Sequence, residues 1–294
     1  MSSRRGLRRV LSGSNFENKT KNELSQSIED LLENGMHGLC YSAYEEGQKP
    51  GDILTEEQIR KRMAIIQPFT NWVRTFSCVE GNEIIARVAK EFGLKTMVGA
   101  WLGEDEEMNE DEIKGLIELA NDGMVDIAAV GNEVLYRNDL PKEKLLEYIR
   151  RVKEAVQNVE VGYVDAYYEF TVHPDLVEVC DVILANCYPF WEECHVDYSL
   201  VYMKQMYQQA KAAGKGKKVI ITETGWPSAG TDVGEAQPSE VNAMKYLINA
   251  LTWANQDEIE VFYFTSFDES WKVGAEGDVG AYWGIWDKDG KLKY

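Results

Sequence analysis

Cysteine is scarce in this chain. Cys40, Cys78, Cys180, Cys187 and Cys194 are five in 294 residues, an odd number that argues against a disulfide framework and fits a reducing compartment. Histidine is scarcer still: His37, His173 and His195 show no His-x-x-x-His spacing, and Cys187, Cys194 and His195 are too loosely arranged for a zinc knuckle. No metal site is expected. No apolar stretch approaches the roughly 18 uncharged residues of a membrane-spanning helix. Basic residues are outnumbered, 31 Lys and Arg against 50 Asp and Glu, for a net charge of −19. A surface that acidic repels phosphate backbones and anionic lipid, so neither nucleic acid nor a membrane is an expected partner. A neutral ligand fits the charge.

The first residues, Met1 to Glu23, are basic at the start but contain no apolar segment of the kind a secretory leader needs. The arginine pairs Arg4-Arg5 and Arg8-Arg9 lack that segment too, so they do not make a twin-arginine leader. The default expectation is a cytoplasmic protein; a leader already removed would make it periplasmic or secreted. Residues 1–35 read as a polar arm whose second half, Glu23–Leu32, has a helical pattern.

From Met36 onward, short apolar runs alternate with longer helix-like segments. The candidate strands are Gly38–Tyr41, Trp72–Thr75, Thr96–Gly99, Asp126–Val130, Glu160–Val164, Val182–Asn186, Val219–Thr222 and Glu260–Thr265. Several are nearly continuous apolar runs, as in parallel strands buried on both faces. Helix patterns cover Thr55–Ile66, Gly81–Phe92, Glu110–Ala120, Lys142–Val156, Tyr198–Ala213 and Ser239–Asn255, with a short one at Pro174–Val179. Thr55 and Gln58 have capping-box spacing, Pro141 suits a first helical turn, and Gly93 and Gly214 sit where a left-handed residue ends a helix. The acidic run Glu104–Glu107 reads as a solvated loop whose charge suits a helix N-terminus.

Eight strands interleaved with helices imply a parallel sheet, either open and doubly wound or closed as a barrel. No Gly-x-Gly-x-x-Gly turn follows the first strand, which removes the simplest dinucleotide-binding reading. Tyr41, Arg74, Trp101, Asn132, Glu133, Asp165, Tyr188, Glu223 and Glu269 all lie at or shortly past candidate strand ends. In a barrel those positions converge on one mouth. The expectation is α/β, a single-domain (β/α)8 TIM barrel over residues 36–294.

Glu133 follows the apolar run Ile127–Val130 and Gly-Asn, and Glu223 follows Val219–Thr222. A carboxyl placed against a buried strand is partly desolvated, which raises its pKa and keeps it protonated, as a general acid must be. Glu223 has the hydroxyls of Thr222 and Thr224 as sequence neighbours, which would favour its ionised form. Asn132 offers a donor and an acceptor for a sugar hydroxyl. A lone Glu after a strand is ordinarily a cap or a loop charge. Two carboxyls in environments that push their pKa values apart are what glycosidic cleavage uses, and strands four and seven of one barrel are compatible with the roughly 5 Å gap of a retaining mechanism.

The motifs Gly38–Tyr41, Val73–Ser77, Gly131–Glu133, Asn186–Trp191, Thr222–Ser228 and Phe267–Lys272 together resemble glycoside hydrolase family 17, the β-1,3-glucanases and their transglycosylating relatives, over nearly all of Gly38–Tyr294. The resemblance implies Glu133 as acid/base and Glu223 as nucleophile. It implies Tyr41, Asn132 and Tyr188 as residues lining the −1 site, and Glu269 and Lys272 as an auxiliary acidic–basic pair. Plant members carry a further Glu shortly before a final aromatic-Gly, here Trp283-Gly284. In this chain the nearest Glu is Glu276, so that acid is displaced or absent and the match is closer to microbial members. Trp101, Trp191, Trp226, Trp271, Trp283 and Trp286 fall at strand ends, loops or the C-terminal segment, where flat rings could carry sugar faces. Trp191 and Trp226 are the expected platforms, and Arg74 the expected structural partner of a buried carboxylate.

The expected activity is retaining hydrolysis of β-1,3-glucan by a monomeric enzyme without a cofactor. A glucanosyltransferase using the same covalent intermediate and a non-catalytic glucan-binding protein are the rivals.

Overall fold

The computed structural model describes residues 13–294, the side chain of Ala275 apart; the arginine pairs near the N-terminus lie outside the described residues. The strands close into one parallel barrel in sequence order. They are β1 (Met36–Cys40), β2 (Thr70–Arg74), β3 (Lys95–Ala100), β4 (Ile127–Asn132), β5 (Glu160–Ala166), β6 (Val182–Asn186), β7 (Val219–Thr224) and β8 (Val261–Tyr263). Closure joins β1 to β8, pairing Gly38 with Phe262 and Leu39 with Tyr263. Gly38 permits it: a Cβ there would stand 2.4 Å from the Phe262 ring.

Helices α1 (Lys21–Glu33), α2 (Glu56–Ile66), α3 (Glu83–Glu91), α4 (Glu106–Asn121), α5 (Val134–Arg137), α6 (Lys142–Ala155), α7 (Glu169–Val172), α8 (Pro174–Val179), α9 (Ser199–Ala213), α10 (Glu240–Gln256) and α11 (Val273–Glu276) accompany the strands. The longer helices each turn an apolar stripe inward. In α3, for example, Ile85, Ala86, Val88 and Ala89 are buried. The capping box at Thr55 forms in full. Helix α1 buries Leu24, Ile28 and Leu32 and packs against α10, so the second half of the N-terminal segment is a helix laid on the barrel.

Three local expectations need correction. Gly214 is right-handed; the chain turns out of α9 one residue later, through Lys215 and Gly216 in the left-handed region. Pro141 is the cap before α6 and not its first helical residue. The acidic run is not all loop: α4 begins at Glu106, so Glu106 and Glu107 form its first turn, with Asp105 as the cap accepting from the Met108 N–H. Acidic residues there offset the partial positive charge of the free N–H groups.

The strand ends matter most for function. β4 runs to Asn132 and β7 to Thr224, each further than their apolar runs suggest, so Glu223 lies on its strand and not after it. Register shifts interrupt the ladders between Ala129 and Asn132, Ala185 and Asn186, and Ile221 and Thr224. Such irregularities re-aim side chains at the rim of a sheet. Here they fall on the three strands that carry Asn132, Asn186 and Glu223. β8 stops early because its next residues leave the ladder: Ser266 N–H and the Thr265 hydroxyl both donate to the Cys40 carbonyl at 3.0 Å.

Candidate active site

Glu223 is the most tightly held carboxylate at the barrel mouth. Arg74, at the end of β2, donates through Nη1 to its Oε1 at 2.6 Å, and the Tyr188 hydroxyl donates to Oε2 at 2.7 Å. The guanidinium is buried, and its second nitrogen donates to Asn132 Oδ1 at 2.7 Å. It also lies 4.4 Å from the Phe76 ring centre. Burial, the largest single effect, would lower the Arg74 pKa, but the charge of Glu223, the neighbouring Cys40 and the hydrogen bonds to both together raise it. The expected structural role of Arg74 thus becomes specific: the buried carboxylate it pairs with is the candidate nucleophile. The Thr222 and Thr224 hydroxyls do not bond Glu223. Thr222 donates to Asn186 Oδ1 at 2.8 Å, and Thr224 shares a hydrogen bond with Tyr246 on α10. The hydroxyl that holds Glu223 comes from Tyr188, just past the end of the neighbouring strand β6.

Glu133 sits at the next turn of chain after β4, in the left-handed region at φ 51°. Its N–H donates to the Val164 carbonyl at 2.8 Å, and Asn186 Nδ2 donates to Oε1 at 2.8 Å. Desolvation, reinforced by the negative charge of Glu223, pushes its pKa up to about 7, against the smaller stabilising effect of Asn186. Glu133 therefore carries a proton over much of the range below neutrality while Glu223 keeps an arginine counter-charge. The two acids expected at the mouth are in one electrostatic unit, in contrasting environments.

Glu269 and Lys272 pair at 2.6 Å, both nearly excluded from water, and the Lys272 ammonium stands 4.1 Å from the Phe264 ring centre. Glu276 joins this group, contrary to its displaced place in the sequence. Burial and the charges of Glu223 and Glu269 raise its pKa while Lys272 lowers it. The turn from α11 carries the acid back to the mouth.

Two expected substrate residues are not available. Tyr41 is buried, with its hydroxyl donating to the Ile59 carbonyl at 2.9 Å and its ring against Phe267, so it supports the wall behind the site. Trp226 is 0% exposed; its indole donates to the Gln237 carbonyl and its ring packs on Phe190 and Tyr246. Neither has a face left for a sugar. Trp191 does, at 40% exposed, braced from behind by Phe190 and Trp283. Trp283 in turn packs on Tyr188, which links the exposed ring to the residue bonded to Glu223. Trp101 is equally exposed and has the Arg137 guanidinium 4.5 Å from its ring centre.

Asn186 was legible as the polar end of an apolar run and the start of a motif, but not as a site residue, yet it bridges Glu133 and Thr222. Among the described residues no group of three His, Cys, Asp or Glu side chains could hold a metal ion.

Residues 38–284 match the family described as the BtgE/BtgC glycoside hydrolase domain. The glucan 1,3-beta-glucosidase BGL2 of Candida albicans is 26% identical over 76% of this chain and 80% of its own length. That of Schizosaccharomyces pombe is 25% identical over 92% of this chain and 89% of its own. The glycoside hydrolase family 17 beta-1,3-glucanosyltransferase of Rhizomucor miehei superposes with a TM-score of 0.80 at 30% identity, covering 89% of this chain and 96% of that one. An endo-laminarinase from Formosa shares the fold, with a TM-score of 0.77 at 20% identity over 90% of this chain and 87% of that one.

Proposed function

The chain belongs to the BtgE/BtgC glycoside hydrolase domain family, within glycoside hydrolase family 17, and from that premise we propose a retaining β-1,3-glucanase with Glu133 as acid/base and Glu223 as nucleophile. The observation that carries the reading is the contrast between the two acids. One carboxylate has both oxygens engaged by an arginine and a tyrosine, and the other is desolvated to a pKa of about 7.

In the first step an oxygen of Glu223 attacks the anomeric carbon as the glycosidic bond breaks, and Glu133 gives its proton to the departing oxygen. The product is a glycosyl ester on Glu223. Attack consumes the negative charge that Arg74 faces, and release restores it, so the pair favours departure of the carboxylate in the second step. There the ionised Glu133 takes a proton from water as it adds to the anomeric carbon. The amide of Asn132, whose oxygen is occupied by Arg74, has its nitrogen free to donate to a sugar hydroxyl. Trp191 offers its exposed ring to an apolar sugar face.

The Rhizomucor relative, described as a glucanosyltransferase, favours a second reading in which a glucan hydroxyl replaces water as acceptor. One digest separates the readings. Incubated with a ladder of β-1,3-linked glucose oligosaccharides, the enzyme is expected to give shorter products and to leave β-1,4-linked ones intact. Products longer than the starting chain would make it a transferase, and an unchanged ladder despite binding would make it a glucan-binding protein.

A further inference from the structure

Beneath the turn that carries Glu133, β5 presents Tyr163 and Asp165 on one face, both wholly buried. The Tyr163 hydroxyl donates to Asp165 Oδ2 and accepts the Leu135 N–H at 2.9 Å. The same Oδ2 lies 3.4 Å from the Tyr136 N–H, and Oδ1 accepts from Ala166 N–H at 2.8 Å. With the Glu133 N–H on the Val164 carbonyl, three backbone donors of this turn end on residues 163–165. The first N–H groups of a helix have no partner within it. Here they are satisfied by a tyrosine and an aspartate of the adjacent strand. A non-glycine residue in the left-handed region persists only where its surroundings impose it, and these bonds impose it at Glu133.

The charged groups facing Glu133 are Glu223 from β7, Asp165 from β5 and Arg137 from α5, with Asn186 from β6 donating to it. Asp165 itself faces Tyr163 and Glu169. It therefore adds negative charge to the surroundings of Glu133 as well as holding its backbone.

We propose that Tyr163 and Asp165 are a positioning pair, which fixes the turn under Glu133 and so aims its carboxyl at the departing glycosidic oxygen. Neither touches the substrate; both act through Glu133, and the inference rests on Glu133 being the acid.

The test compares kcat/KM of wild type, Tyr163→Phe, Asp165→Asn and Glu133→Gln on laminaripentaose and on 2,4-dinitrophenyl β-laminaribioside, whose leaving group departs without a proton. On the pentaose, Tyr163→Phe and Asp165→Asn are expected to lose roughly 10- to 100-fold, the scale of a misplaced catalytic group. On the activated substrate they are expected to lose less than about 3-fold, because proton donation no longer contributes there. In Asp165→Asn the alkaline limb of the pentaose profile, set by loss of the Glu133 proton, moves to lower pH, since a negative neighbour has been removed.

Equal losses on both substrates, or none on either, would overturn the proposal. Glu133→Gln is the control: if it fails to distinguish the two leaving groups, the acid assignment falls and takes the premise with it. Tyr163→Phe keeps the ring and its packing, so it decides the matter even if Asp165→Asn does not fold.

Discussion

Glu223→Gln is expected to lower the rate of glucan cleavage by about four orders of magnitude, roughly 5.5 kcal/mol of barrier. An amide has the shape of the carboxylate but not the nucleophilicity, and no other carboxylate takes its place between Arg74 and Tyr188. The variant is also expected to be less stable than wild type, because the buried Arg74 guanidinium loses the charge opposite it. Both effects are measurable on one preparation: initial rates on laminarin, and a thermal melt. A variant that retained a tenth of the activity would remove Glu223 from the role of nucleophile.

Arg74→Met carries the second large effect, on stability. The ion pair it breaks joins side chains 2% and 7% exposed, and removing one partner of such a pair leaves the other buried and uncompensated. The cost is about 3–5 kcal/mol, which for a chain of this size lowers Tm by about 10 °C. Asn132 Oδ1 also loses its donor. The double variant Arg74→Met/Glu223→Gln separates pairing from packing. With no uncompensated charge left, it is expected to melt above the Arg74→Met single variant, since contacting residues are non-additive. If the double variant melts lower still, by the sum of the single losses, then the two side chains stabilise the barrel independently and the pair is incidental.

How much of this was readable beforehand depended on distance along the chain. The eight strands were legible because each is a short apolar run bounded by polar residues, and burial on both faces demands that pattern. Glu133 and Glu223 stood out for the same reason, as acids set directly against such runs. What holds them was not legible. Arg74 and Glu223 are 149 residues apart, and nothing in either neighbourhood specifies the other. Only closure of the barrel brings them together. The hydroxyls next to Glu223 in sequence misled for a related reason: a strand sends Thr222 and Thr224 to the opposite face from Glu223, while Tyr188 reaches it from the loop that follows the neighbouring strand β6.

Tyr41 and Trp226 show the limit of motifs in a different way. Each sits in a stretch that resembles its family, but a motif does not say which way a side chain turns. Both turn into the wall, where a backbone carbonyl satisfies the polar atom. Glu276 is the reverse case: its spacing from Trp283-Gly284 is unusual, and a short helix nonetheless returns it to Lys272 and the mouth. Loop paths are set by local turns and tertiary contacts together, so spacing alone did not fix where that acid ends.

The central claim is that cleavage passes through an ester on Glu223, with two inversions at one carbon. Proton NMR during the first minutes of laminaripentaose hydrolysis, before mutarotation, reads this directly. The new reducing end is expected to appear first as the β-anomer, with the α-anomer growing in later. If the α-anomer appears first, water attacks the sugar in a single step, and Glu223 is not the nucleophile.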